Sequence, residues 1–145
     1  MERSYPDRPF VGVGVVVYKG DEVLLIQRGK PPRSGQWSLP GGVQELGETV
    51  RQAAHREVME ETSVEIELLG LVDVIDSVRH DAAGKVRFHF TLVDMAAEWR
   101  AGEPRAGDDA AAAEWVALDE IEDYLAWSET VRVIREGLSL RAPAG

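Results

Sequence analysis

The sequence predicts an α/β (α+β) layered sandwich with a central mixed β-sheet. Short β-rich runs alternate with stretches of helical periodicity, in the order strand, strand, helix, strands, helix. The length of 145 residues suits one domain, and no internal repeat or linker interrupts the chain. We therefore expect a single domain over residues 1–145, with the tail from about residue 139 frayed.

The first half of the chain is dominated by valine-rich runs separated by glycine and proline residues. The two strands nearest the N-terminus flank a Lys-Gly-Asp turn, which indicates a β-hairpin. A loop rich in proline and glycine and a tight Pro-Gly-Gly turn then precede the first helix. In order, we predict a strand at 10–18, a turn at 19–21, a strand at 23–27, a loop at 29–36, a turn at 40–42 and a helix at about 49–61.

The second half begins with a long β-rich run in which Gly70 is a possible bulge. The strand that follows alternates apolar and polar residues, as a half-buried strand does. Ser128 stands where an N-cap residue is expected, so we predict that it caps the last helix. In order, we predict a strand at 64–78, a turn at 81–84, strands at 86–93 and 113–116, a connecting loop at 96–106, and helices at 119–125 and 128–137.

Charge and composition exclude several functional classes. The chain has 16 Lys and Arg against 26 Asp and Glu, a net charge of −10, so a long nucleic acid is a poor partner. A small anionic substrate remains compatible, because a bound metal and a few local arginines can override the global field. Without cysteine there is neither a disulfide nor a thiolate metal site. No apolar run is long enough for a membrane span and no signal peptide is evident, which favours a cytoplasmic protein.

The predicted first helix carries three glutamates, Glu57, Glu60 and Glu61, within an arc of about 100°. The apolar positions 50, 53 and 54 lie on the same arc, so we expect these carboxylates to extend the face that packs on the protein body. Like charges repel, which favours a divalent cation among them. The alternative is an ordinary surface helix with ion pairs between successive turns.

The segment around this helix matches a known motif. Gly42-x5-Glu48-x7-Arg56-Glu57-Val58-x-Glu60-Glu61-x-Ser63-Val64 resembles the Nudix box, G-x5-E-x7-R-E-U-x-E-E-x-G-U, in which U is a bulky aliphatic residue. All specified positions agree except Ser63, which stands where the box has glycine. That glycine ends the helix in a left-handed conformation, so serine is expected to cost about 1 kcal/mol of stability without removing a ligand.

The resemblance implies a Nudix-type α/β/α sandwich and hydrolysis of a nucleoside diphosphate linked to another moiety, with Mg²⁺ or Mn²⁺ as cofactor. It implies Glu57, Glu60, Glu61 and the Gly41 carbonyl as metal ligands, with Glu57 alternatively a base. Oxygen-only ligands suit hard Mg²⁺. Arg56 and Glu48 are implied as residues that orient the box carboxylates or assist the chemistry.

Substrate-binding residues are predicted outside the helix. Arg28, with Lys30 and Arg33, could hold phosphates, although a solvated basic loop is an equal alternative. Trp37 could stack on a base or anchor the loop before the box. The remaining substrate-binding candidates are Gly42 in the turn, Arg87 with His80 and His89 near a hairpin, and Asp109. The resemblance also implies that Asp108 or Asp109 could supply a further acid as base or metal ligand, with a solvated loop as the alternative and Glu114 as a weaker candidate.

Substrate identity is less constrained than reaction class. The chain resembles the short bacterial ADP-ribose pyrophosphatase-like group, so an ADP-ribose-like substrate is favoured. The alternatives are a nucleoside triphosphate pyrophosphohydrolase and a catalytically silent nucleotide sensor, which would be expected to have lost box acids. The partner is a small nucleotide with no membrane involved, and a homodimer through a long strand is possible.

Overall fold

The computed structural model describes residues 3–30, 33–107 and 109–142. The order of helices and strands along the chain is that of a mixed α and β protein. The elements are β1 (Phe10–Lys19), β2 (Glu22–Arg28), β3 (Trp37–Ser38), β4 (Gly41–Val43), α1 (Val50–Thr62), β5 (Glu65–His80), β6 (Val86–Ala101), β7 (Ala110–Ala117), α2 (Ile121–Tyr124), α3 (Ser128–Gly137) and a 3₁₀ turn at Leu138–Leu140.

A seven-stranded mixed sheet forms the centre of the fold. β1 runs parallel to β6, and β5 pairs antiparallel with β6 along almost its whole length. β1 and β2 pair only next to their connecting turn, at Tyr18 and Lys19. Beyond that point they separate: β3 pairs with β2, and β4 pairs with β1 at Gly12–Gly14. The chain between β3 and β4 is therefore drawn into the sheet directly ahead of α1.

Helices cover both faces of the sheet. Alternate residues of β1 point to opposite faces, as the pleat of a strand requires. Val13, Val15 and Val17 pack with α1 on one face, whereas Val16 and Tyr18 pack with α2 and α3 on the other. Each face thus has its own apolar core, and the predicted α/β/α sandwich with a central mixed sheet is confirmed.

Some predicted boundaries were wrong. The Pro-Gly-Gly segment is not merely a turn, because Gly41–Val43 is a strand that pairs with β1. The predicted loop at 96–106 begins only after β6 ends at Ala101, since pairing with β5 extends β6 through an alanine-containing stretch of weak strand propensity. Ser128 is the first helical residue of α3, and Trp127 occupies the N-cap without a side-chain hydrogen bond.

The residues that follow α3 fold back on the sheet. Leu138–Leu140 forms a 3₁₀ turn after α3. Arg141 then forms an ion pair with Glu98 of β6, with 2.9 Å between its Nη2 and Glu98 Oε1. It also donates a hydrogen bond of 2.7 Å to the carbonyl of Gly20. These contacts attach Arg141 to β6 and to the turn between β1 and β2.

Candidate active site

Gly41 and Gly42 occupy positions where a side chain does not fit. A Cβ on Gly41 would lie 2.0 Å from the carbonyl oxygen of Val13 in β1. A Cβ on Gly42 would lie 2.4 Å from Cδ of Glu57 in α1. The two glycines therefore allow β4 to approach β1 on one side and the acidic helix on the other.

Both ends of α1 are fixed by local contacts. Thr49 caps the N-terminus: its hydroxyl accepts from the Gln52 amide at 3.0 Å, and the Gln52 side chain accepts from the Thr49 amide at 2.9 Å. At the C-terminus, Ser63 has φ 62° and ψ 20°, and its amide donates to the carbonyl of Met59. Ser63 thus adopts the left-handed conformation expected at this box position. These caps fix where α1 begins and ends, and therefore fix the positions of its glutamates relative to β4.

Arg56 donates hydrogen bonds to acidic residues of α1 and of the loop before it. Its Nε and Nη2 donate to the two oxygens of Glu48 at 2.7 and 3.0 Å. Its Nη1 donates to Glu57 Oε1 at 2.7 Å and to Glu60 Oε2 at 3.2 Å. Nη2 also donates to the Val43 carbonyl at 3.2 Å, which ties the group to β4. We call Arg56, Glu48, Glu57 and Glu60 the Arg56 cluster.

The pKa values of Glu48 and Arg56 are shifted strongly toward the charged forms of both groups. The hydrogen bonds from Arg56 lower the pKa of Glu48 from 4.5 to about 2. The hydrogen bonds that Arg56 donates to Glu48, and then those that it donates to Glu57, raise the pKa of Arg56 against a lowering by burial. Glu48 is therefore a carboxylate at any pH near neutrality, with its two oxygens directed at the planar guanidinium fork.

The three helix glutamates differ in burial. Glu61 is buried and accepts a hydrogen bond of 2.7 Å from the Gly41 amide. The side chain of Glu57 is 14% exposed and lies against Gly42, whereas that of Glu60 is 44% exposed. The prediction that all three face the protein body is wrong for Glu60, which lies at the solvent edge of the arc. Exposure of the three glutamates to solvent therefore increases from Glu61, which contacts the β4 backbone, through Glu57 to Glu60.

The donor chemistry of this group fits a hard divalent cation. Among the described residues, no three His, Asp or Glu side chains converge in the geometry of a metal site, because the carboxylates are turned toward Arg56. Each carboxylate has about four lone-pair sites, so one contact to Arg56 does not exhaust its ability to bind. Glu57, Glu60, Glu61 and Gly41 supply only oxygen donors, the set that Mg²⁺ and Mn²⁺ prefer.

The predicted substrate-binding residues are dispersed. Arg28 ends β2, and its Nε is buried with no hydrogen-bond partner among the described residues. Asp109 is exposed and forms an ion pair of 2.7 Å with Lys30, whose hydrogen bond lowers the pKa of Asp109. Arg87 is exposed at the start of β6, with its guanidinium 5.4 Å from the Phe88 ring. Only Gly42 lies against the Arg56 cluster.

Trp37 and the remaining candidates have other surroundings. The Trp37 ring packs against the core next to α2 and α3 and meets the Tyr124 ring edge-on at 5.2 Å. This packing is that of a residue which anchors the loop before the box. Glu114 is exposed in β7, and Asp108 lies outside the described residues.

Asp94, in β6, is a buried carboxyl group that sequence reasoning missed. It is 7% exposed, and its Oδ1 lies 2.5 Å from where a Cβ of Gly14 would be. Burial, and then the charge of Asp73, raises the pKa of Asp94 from 3.8 to about 6, against a lowering by Arg132. The available signal was an aspartate within an otherwise apolar Leu-Val-Asp-Met run.

Comparison with known proteins places this arrangement in context. A family model described as the NUDIX domain matches residues 8–136. The ADP-ribose pyrophosphatase of Methanocaldococcus jannaschii is 35% identical over 130 residues, covering 82% of this chain and 75% of that protein. A Mycobacterium tuberculosis protein named "Putative 8-oxo-dGTP diphosphatase 2" is 38% identical over 112 residues, covering 77% of this chain and 75% of that protein.

Solved structures show the same fold. The MutT NUDIX hydrolase from Burkholderia pseudomallei has a TM-score of 0.75 at 32% identity, covering 90% of this chain and 98% of that one. A bifunctional NMN adenylyltransferase/ADP ribose pyrophosphatase from Francisella tularensis, complexed with AMP and a Mn ion, has a TM-score of 0.66 at 27% identity. That match covers 91% of this chain and 42% of the other. Within the described part of this chain, no helix is both long and apolar enough to cross a membrane.

Proposed function

This chain belongs to the Nudix family of diphosphate-bond hydrolases, and from that premise we propose that it cleaves a nucleoside diphosphate linked to a second moiety, with ADP-ribose-like compounds favoured, in the presence of Mg²⁺ or Mn²⁺. The observation that carries this proposal is the Arg56 cluster beside Gly41 and Gly42. It combines oxygen donors, a fixed guanidinium and a closely approaching backbone at one place.

The metal-dependent part of the proposal follows from charge. Attack of water on a diphosphate needs neutralisation of the phosphate oxygens and an activated water, and a divalent cation supplies both. Glu57, Glu60, Glu61 and the Gly41 carbonyl would hold that cation. Nudix hydrolases generally use divalent metals, and the neighbouring structure from Francisella tularensis contains a Mn ion.

The side chains have separate tasks in this scheme. Arg56 orients Glu57 and Glu60 through one nitrogen, while its bidentate pair with Glu48 keeps the guanidinium fixed. Glu57 is either one of the ligands of that cation or, alternatively, the acceptor of the proton that the attacking water loses. The water oxygen bonds to one phosphorus, the bond from that phosphorus to the bridging oxygen breaks, and two phosphate monoesters leave.

Two observations concern the choice of substrate. The Methanocaldococcus jannaschii relative is named an ADP-ribose pyrophosphatase, which supports ADP-ribose or a similar compound. The Mycobacterium tuberculosis relative bears the name of a diphosphatase of an oxidised deoxynucleoside triphosphate, which supports a triphosphate substrate as the second candidate. A silent nucleotide sensor is disfavoured because all the box acids are present. The cytoplasmic location and the homodimer stay predictions from the sequence.

A substrate panel tests the proposal. ADP-ribose, other nucleoside diphosphate derivatives and nucleoside triphosphates are each incubated with Mg²⁺, Mn²⁺ or EDTA, and the nucleoside monophosphate that forms is measured by ion-exchange chromatography. The proposal predicts metal-dependent turnover that is fastest for ADP-ribose-like compounds. Glu60→Gln should reduce it at least about a hundredfold, whereas the matched control Glu65→Gln, an exposed glutamate in β5, should not. Turnover of triphosphates alone would instead establish the second candidate.

A further inference from the structure

Three arginines converge where the loop after β2 meets the sheet. Arg28 ends β2, Arg33 lies in that loop, and Arg79 lies near the end of β5. The loop folds back on the strand: the Arg28 amide donates to the Gln36 carbonyl at 2.8 Å, and the Gln36 amide donates to the Arg33 carbonyl at 3.1 Å. The Gly35 amide donates to the Arg28 carbonyl at 2.7 Å, so Arg33 is held next to Arg28.

These three arginines bring like charges close together. The pKa of Arg33 is lowered by its burial and then by the positive charges of Arg79 and Arg28. In residues 3–30, 33–107 and 109–142, none of the three forms an ion pair, although the chain carries a net charge of −10. Lys30, and to a smaller extent Arg28, lower the pKa of Asp109. The Asp109 carboxylate is already paired with Lys30, with 2.7 Å between Nζ and Oδ1.

A second observation points to a missing acceptor. Arg28 Nε is buried and has no hydrogen-bond partner among the described residues. A buried donor that lacks a partner carries the full cost of its desolvation, about 1–3 kcal/mol, and more when the group is charged. An anion placed among Arg28, Arg33 and Arg79 would accept that bond and also offset the repulsion between the guanidiniums.

We propose that Arg28, Arg33 and Arg79 form an arginine site that binds a phosphate group of the substrate other than the one attacked at the Arg56 cluster. Gln36, which pairs with Arg28, is five residues before Gly41, and extended chain of that length spans at most about 17 Å. One nucleotide can therefore reach both places. This inference rests on the proposed function for the identity of the substrate, but not for the presence of the anion site.

The experiment measures the affinity of inorganic pyrophosphate by titration calorimetry, with EDTA present so that no metal takes part. Arg33→Ala and Arg79→Ala should each weaken pyrophosphate binding about tenfold, and Arg79→Lys should weaken it less. The control is Arg100→Ala, which removes an exposed arginine that pairs with Glu67 near the opposite end of β5 and β6. Thermal unfolding of each variant verifies that it is folded.

Kinetics with the nucleotide substrate distinguishes the sources of the phosphate. If the arginine site holds a substrate phosphate, KM rises about tenfold in both alanine variants while kcat changes little. Unchanged pyrophosphate affinity in both variants, or none in the wild-type protein, would overturn the anion site. Weaker pyrophosphate binding with unchanged KM would overturn its assignment to the substrate. If no nucleotide turns over and pyrophosphate binding still depends on Arg33 and Arg79, the proposed nucleotide substrate fails and the anion site stands.

Discussion

Arg56 gains its influence on the site from the planarity of its guanidinium group. Two of its nitrogens bind Glu48 and a single nitrogen reaches both Glu57 and Glu60, so four contacts are set by one rigid group. A lysine carries the same charge but offers a single point of attachment, which cannot reproduce this fork. The orientation of the helix acids, more than the net charge at this place, is what the residue provides.

The first prediction is that Arg56→Lys lowers kcat by about tenfold to a hundredfold, the range found when a residue that orients metal ligands is changed. Arg51→Lys, on the exposed side of the same helix, is the matched control and should leave kcat unchanged. Steady-state kinetics at saturating Mg²⁺ provides the measurement. Equal kcat values in the two variants would show that positive charge alone suffices.

Asp94 gives the second prediction, on stability and pH. Its pKa is raised from 3.8 in the unfolded chain to about 6 in the folded protein, so the folded state binds the proton more tightly. The stability associated with the protonated group is complete below pH 3.8 and is lost as pH rises through about 6. Above that, burial of the carboxylate destabilises the fold.

Asp94→Asn should therefore raise the free energy of unfolding by about 3 kcal/mol at pH 7 and change it little near pH 3.5. Asp76→Asn, an exposed aspartate of β5, is the control and should show no such difference. Urea unfolding at both pH values measures the effect. A gain from Asp94→Asn that is the same at both values would contradict the raised pKa.

At the scale of elements, α1 was the most predictable part of the fold. Its predicted range of 49–61, which rests on the apolar spacing, is close to the observed Val50–Thr62, and in the structure the Thr49–Gln52 capping box stabilises its start. β4 could not be predicted in the same way, since Gly41 and Gly42 have no strand propensity. They form a strand because their backbone pairs with Val13 and Gly14 of β1, which are distant along the chain.

The third prediction concerns the C-terminus of α1. Ser63 has φ 62°, a conformation that costs a residue with a side chain about 1 kcal/mol relative to glycine. Ser63→Gly should therefore raise the free energy of unfolding by about that amount, while kcat is unaffected. Ser63→Ala keeps the Cβ atom and should bring no gain, which makes it the control. Urea unfolding of the three proteins decides; a gain in the alanine variant would mean that backbone strain is not the cause.

At the scale of the whole molecule, the partial separation of β1 from β2 decides where the site forms. β3 and β4 pair into the space between them, and the backbone at Gly41 thereby meets the acids of α1. The sequence could indicate the sandwich and the acidic helix from patterns within one segment. It could not place Arg79 beside Arg28 and Arg33, nor Asp94 against Gly14, because these contacts join strands that are distant along the chain.

Contacts between residues distant along the chain also explain why the roles of the substrate-binding candidates could not be predicted. Trp37 was ambiguous because an aromatic residue before the box serves equally as an anchor or as a stacking surface, and the tertiary packing against Tyr124 determines which it does. Arg28 could be predicted as a candidate because it ends a strand. That its Nε is buried without a hydrogen-bond partner among the described residues could not be predicted, because this depends on how the surrounding chain packs.

The most direct test of the central claim is the release of AMP from ADP-ribose by the wild-type protein and by Glu57→Gln, each with Mg²⁺ and with EDTA. The account predicts that AMP forms only when the metal is present, and that Glu57→Gln reduces kcat at least about a hundredfold while leaving the thermal unfolding temperature nearly unchanged. AMP release that persists in EDTA, or a Glu57→Gln variant as active as the wild type, would contradict it.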